Sequence, residues 1–215
     1  AEHEPQLLHI LRHCPLIVNL DVSDLTDLLT DEVVGRISSS VRQLRTLNIQ
    51  YSSNVTDRAL REITSHHKQT LEALYTKTCD ELTVAGINHV LKECPHLHTI
   101  SYNSFSGVDY SLMGNITTLL LGNPVNASGW VEMCLHCRNL QYLHVTFGYE
   151  LDYSVVGDVV NTVCGLPKLR TLYVKDLPSK QYKQIVAEVG VRRRPVRVTD
   201  TEDESEWYKL FDMPI

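Results

Sequence analysis

The sequence predicts an α/β solenoid, a curved parallel sheet on the concave side with helices on the convex side. Three observations predict it. A six-residue pattern, apolar-x-x-apolar-x-apolar, recurs seven times. The first positions of these segments stand 27, 27, 26, 19, 24 and 29 residues apart. Between segments the apolar spacing changes from two to three or four, the change expected between a strand and a helix.

The elements follow in order. Leu7, Leu8, Ile10 and Leu11 form the helical half of a repeat whose strand is missing. The native protein is therefore expected to extend upstream, because a bare solenoid end exposes its core. The first strand segment is Ile17-Leu20-Val22, and Thr30-Asp31 then leads into Val33, Val34 and Ile37. The second is Leu44-Leu47-Ile49, with Thr56-Asp57 leading into Leu60 and Ile63. The third is Leu71-Leu74-Thr76, with Leu82-Thr83 leading into Ile87, Val90 and Leu91. Thr or Asp ahead of a helical apolar pattern is an N-cap signal, its side-chain oxygen accepting from a free backbone N–H.

Leu97-Ile100-Tyr102 and Ile116-Leu119-Leu121 bound the one short unit, and Leu140-Leu143-Val145 and Leu169-Leu172-Val174 complete the series. One unit alone cannot bury its apolar edge, whereas stacked units share a continuous core. Spacings mostly in or near about 20–29 residues are those of leucine-rich repeats. The fold expected is thus a leucine-rich-repeat solenoid of about seven repeats over residues 1–195. A C-terminal capping strand at Val196-Arg197-Val198 and an acidic-aromatic tail complete 196–215. Trp207, Tyr208, Leu210 and Phe211 of that tail are read as a cap on the last repeat.

Cys14, Cys94 and Cys137 each stand three residues before the first apolar strand position, and Cys79 sits in the turn after the third strand. Cys14-Pro15-Leu16-Ile17, Cys94-Pro95-His96-Leu97 and Cys137-Arg138-Asn139-Leu140, with Leu82-Thr83-Val84-Ala85-Gly86-Ile87, resemble the cysteine-containing leucine-rich-repeat family. That repeat is similar above all to the one in F-box leucine-rich-repeat proteins, over about residues 10–190. The resemblance implies substrate recognition for a cullin-based ubiquitin ligase, whose adaptor would be recruited by an F-box upstream. These 215 residues contain no F-box-like segment. A stand-alone scaffold or assembly factor with the same repeats is the alternative. Regulators resembling GTPase-activating leucine-rich-repeat proteins rank last, because their regular turn asparagine is not matched here.

Composition excludes several other classes. The hydrophobic fraction is 43% and the charged fraction 21%, as in ordinary globular proteins. A formal net charge of −6 argues against a general nucleic-acid surface. The basic run Arg192-Arg193-Arg194 is followed at once by the acidic stretch Asp200 to Glu206. No apolar stretch approaches the roughly 20 residues that span a bilayer. No signal-peptide pattern is present, and the three sequons, at Asn54, Asn115 and Asn126, carry little weight. A core of this size does not need disulfides, so reduced cysteines and a cytoplasmic or nuclear location are expected.

No residue set calls for chemistry. Cys134-Leu135-His136-Cys137 is a single CxxC, whereas a structural zinc needs four converging ligands. A redox role for that pair lacks the helix-start context that lowers a thiol pKa. The histidines, His66-His67 among them, show no metal-ligand spacing on a shared face. Neither a phosphate-binding glycine loop nor a nucleophile elbow occurs. The chain is therefore expected to be no enzyme, with no cofactor and no metal.

A protein partner is expected instead, on the concave face. Residues between the buried strand positions would line that face in rows, and Tyr75, Lys77, Asn103, Leu120, Tyr142, His144, Tyr173 and Lys175 are its candidate contacts. Aromatic anchors are enriched where interfaces carry energy. Phe105, Phe147 and Tyr149, just past their strands, would extend the patch along one rim.

Overall fold

The computed structural model describes residues 4–23, 25, 27–123, 127–147, 154–192 and 196–200. Tyr149, Arg193, Arg194 and the expected aromatic cap at 207–211 lie outside them. The chain divides into two compact units, Ala1–Asn103 and Ser104–Ile215. The division falls inside the short 19-residue spacing.

The first unit alternates helix and strand: α1 (Glu4–His13), β1 (Asn19–Asp21), α2 (Asp31–Ser40), β2 (Thr46–Asn48), α3 (Asp57–His67), β3 (Ala73–Tyr75), α4 (Val84–Glu93) and β4 (Thr99–Tyr102). All its strands are parallel and lie in sequence order, with Leu20, Leu47, Leu74 and Ile100 in register. The second unit holds a 3₁₀ turn (Tyr110–Met113), β5 (Thr118–Leu121), α5 (Ala127–His136), β6 (Tyr142–Thr146), α6 (Ser154–Gly165), β7 (Thr171–Lys175), α7 (Ser179–Arg192) and β8 (Arg197–Thr199). Here Leu119, Leu143, Leu172 and Val198 are aligned, again on parallel neighbours. Each unit is thus a stretch of α/β leucine-rich-repeat solenoid, with helices packed on helices beside a parallel sheet.

Period two explains the strand core: Leu47, Leu74, Ile100, Leu119, Leu143 and Leu172 are at most 1% exposed. Period three to four explains the helical core, as with Leu60 and Ile63 of α3 or Val90 of α4. The capping signals are realised. Thr30, Thr56 and Thr83 are extended N-cap residues whose hydroxyls accept from Val33, Arg58 and Ala85 N–H.

The cysteine phase has a local cause as well. Cys14, Cys94 and Cys137 each follow a helix directly, and their backbone N–H groups donate to Ile10, Val90 and Met133 carbonyls. At Cys94 and Cys137 a small side chain is buried in that corner, where the chain turns from helix towards strand, whereas Cys14 is exposed. In the short fourth spacing there is room only for the 3₁₀ turn, which Asp109 caps by accepting from Ser111 N–H at 3.0 Å.

Candidate functional site

The candidate contacts fall on two strand faces. In the first unit, Asn48, Tyr75 and Ser101 occupy one row in register. They are at most 2% exposed. In the second unit Leu120, His144 and Tyr173 form the equivalent row, each beside the next in register. They are 8%, 5% and 3% exposed. Strands about 4.8 Å apart put ladder neighbours in van der Waals contact and shield their flanks. The middle row is therefore a packed layer instead of a set of free anchors.

The accessible part lies at the row edges. Tyr142, Lys77, Asn103, Thr146 and Lys175 are half-buried. Phe105 and Phe147, expected on an exposed rim, are at most 1% exposed. They are core residues of the turns, where an aromatic ring fills the space just past the strand end. Tyr149 lies outside the described residues.

Polar ladders that the sequence reading did not foresee tie successive repeats together. Asp31 accepts from Thr56 N–H at 2.8 Å and from its hydroxyl at 2.7 Å. Asp57 does the same for Thr83, at 2.8 and 2.6 Å. Each link joins the first residue of one helix to the N-cap of the next. The recurring Thr-Asp pairs at 30–31 and 56–57 were the available signal. On the strand side, Asn48 Nδ2 donates to Asp21 at 2.9 Å. Asn103 accepts from Thr78 N–H at 2.7 Å and donates to Asp80 at 3.0 Å. Asn103 therefore shapes the surface first, whatever it later touches.

The titratable groups are set up for packing. All six cysteines are free thiols. Burial pushes Cys79 up to about 11, and Cys94 and Cys137 up to about 12. Burial also raises Cys134, whose Sγ donates to the Thr162 carbonyl at 3.6 Å. A nucleophilic or redox thiol needs the opposite shift. His67 is buried, donates from Nε2 to the Ser38 carbonyl at 2.9 Å, and has its pKa lowered mainly by desolvation. Among the described residues no three His, Cys, Asp or Glu side chains converge as a metal site. No described helix is long and apolar enough to cross a membrane.

No protein-family model matches the chain, and no curated protein matches it in sequence. Among solved structures, it is similar to a chain in the crystal structure of the Rad7 and Elc1 complex in yeast, at 17% identity and a TM-score of 0.54. The match covers 84% of this chain and 46% of that one, so the chain spans less than half the length of its structural neighbour. That likeness adds to the parallel ladders and the repeat phase: the fold is a leucine-rich-repeat solenoid.

Proposed function

We propose that the chain is a non-catalytic protein-binding module, acting in the cytoplasm or nucleus as the substrate-recognition part of a cullin-based ubiquitin ligase. The observation that carries the binding reading is the second unit's strand face. Tyr142, Thr146 and Lys175 are held there half-exposed on strands in fixed register, on either side of a packed row. A backbone already fixed by a ladder needs no reordering when a partner binds, which favours recognition. The ligase reading rests on the cysteine repeat phase, and a neighbour of like fold solved in a two-protein complex is consistent with partnering. The ligase adaptor would contact an F-box outside these residues.

Capture of partners by the full-length protein, wild type against Tyr142→Ala/Lys175→Ala, tests the reading. Tyr142 and Lys175 are chosen because Tyr173 is core. Expected are a co-purifying cullin adaptor with both proteins and loss of the substrate with the variant alone. A substrate held equally by the folded variant refutes the strand-face role. Capture of a substrate without any cullin adaptor favours a stand-alone scaffold.

A further inference from the structure

We propose that the strand-entry edge of the second unit, formed by Arg138, Lys168, Arg170 and Arg197, binds an acidic polypeptide segment of a protein partner. The inference rests on the protein-binding reading and specifies the chemistry of what is bound.

All four side chains are exposed. They lie in the turns just before β6 and β7 or at the first residue of β8. The ladder brings them together. Arg197 N–H donates to the Arg170 carbonyl at 2.8 Å, so these two residues sit side by side at the entry end of β7 and β8. Lys168 Nζ reaches Asn139 Oδ1 at 2.6 Å, and Asn139 directly follows Arg138. No described carboxylate forms an ion pair with any of the four. Arg138 spends one guanidinium N–H on the Cys134 carbonyl at 3.2 Å and remains exposed.

The first unit shows what the same edge looks like when it is balanced. Directly before β2, β3 and β4 stand Arg45, Glu72 and His98. Arg45 and Glu72 pair at 3.0 Å across adjacent strands, and His98 lies 4.0 Å from the same carboxylate. The second unit puts Thr117, Gln141 and Arg170 at the corresponding places before β5, β6 and β7, with no acidic residue. Among the described residues its edge thus gathers cations without counter-charge, in a chain whose formal net charge is −6. Such a local inversion of sign steers partners of the opposite charge.

Two features favour a polypeptide over a nucleic acid. Nucleic-acid surfaces displace many counterions and need a broad basic field, which an acidic chain opposes. The edge is short, and Arg guanidinium groups form forked hydrogen bonds to carboxylates. An extended acidic segment crossing the strand ends would present same-face carboxylates about 6.7 Å apart, an offset from the strand spacing of about 4.8 Å that long, exposed Arg and Lys side chains can span.

The test is fluorescence anisotropy of the full chain with a labelled peptide of alternating Glu and Ser. A Lys and Ser peptide and single-stranded oligo(dT) serve as comparisons. The Glu peptide is expected to bind, and to weaken as salt shortens the screening length. Arg170→Gln/Arg197→Gln, checked for folding by circular dichroism, is expected to bind about tenfold more weakly, as for loss of charge-assisted hydrogen bonds. Arg45→Gln is expected to change nothing. Undiminished binding by the folded double variant overturns the proposal, as does tighter binding of oligo(dT). So does a peptide that binds only after Glu202, Asp203, Glu204 and Glu206 are neutralised, because the occupant is then the chain's own acidic stretch. Substrate capture by Tyr142→Ala/Lys175→Ala reads the strand face and Glu-peptide binding by Arg170→Gln/Arg197→Gln reads the edge, so failure of the strand-face reading and failure of this one are separable.

Discussion

Asp57 opens one helix and holds the cap of the next: its two carboxylate oxygens take the backbone N–H and the hydroxyl of Thr83, 26 residues later. Thr83 Oγ1 in turn accepts from Ala85 N–H at 3.1 Å. The carboxylate therefore orients a hydroxyl that caps α4. Asp57→Ala is expected to lower unfolding stability by about 0.5–2 kcal/mol, the range for weakening a helix cap whose exposed donors water can take up. Asp57→Asn should fall between, since one of its two positions is a donor facing donors. Urea denaturation of the three proteins checks the order.

Gly86 sits under that carboxylate. A Cβ built on it would fall on Asp57 Oδ1 and stand 3.0 Å from Leu60 Cδ1. Alanine in a helix interior normally gains about 1 kcal/mol over glycine. Gly86→Ala is expected to reverse that sign and destabilise, because Asp57 is pinned and cannot move aside freely. In Asp57→Ala the same substitution should cost less. A double-mutant cycle with additive effects would contradict this coupling.

Thiol accessibility should separate the cysteines. Cys14 is exposed, whereas Cys79, Cys94 and Cys137 are buried and held at about 11, 12 and 12. Iodoacetamide at pH 8 is expected to modify Cys14 in the native chain and to reach those three only in denaturant. Peptide mass spectrometry reads the result.

His67 makes stability fall on acidification. Its pKa is depressed below 6.5, so the unfolded chain takes up a proton first as the pH drops. Stability from this group is complete above about 6.5 and is lost between there and the lower folded value. Nδ1 has no hydrogen-bond partner, so a proton placed there would be buried without an acceptor. His67→Gln is expected to flatten the slope of melting temperature against pH in this window.

Much of this fold was legible because one pattern served both levels. The spacing that marks Leu47, Leu74 and Leu143 as strand centres also fixes their register. The Thr caps were equally plain, since a cap is a local event. The face was harder. Period two assigns Tyr75 and His144 to the side away from the helices, but their burial depends on what lies beside and above them, which no single strand encodes. Phe105 and Phe147 misled for the opposite reason: they follow their strands in turns, where period two no longer applies. The Asp–Thr links needed two repeats to be compared at the same phase.

The strand exits carry a conformational debt. Tyr51, Thr78 and Asp176, each four residues past a central leucine, are left-handed, with φ of 61°, 59° and 58°. None is glycine, and a β-branched residue is the least suited to that region. Thr78→Asn should reach the same corner at lower cost and raise the melting temperature measured by calorimetry. A hardier version of this scaffold could begin there, provided the Thr78 N–H bond to Asn103 is kept.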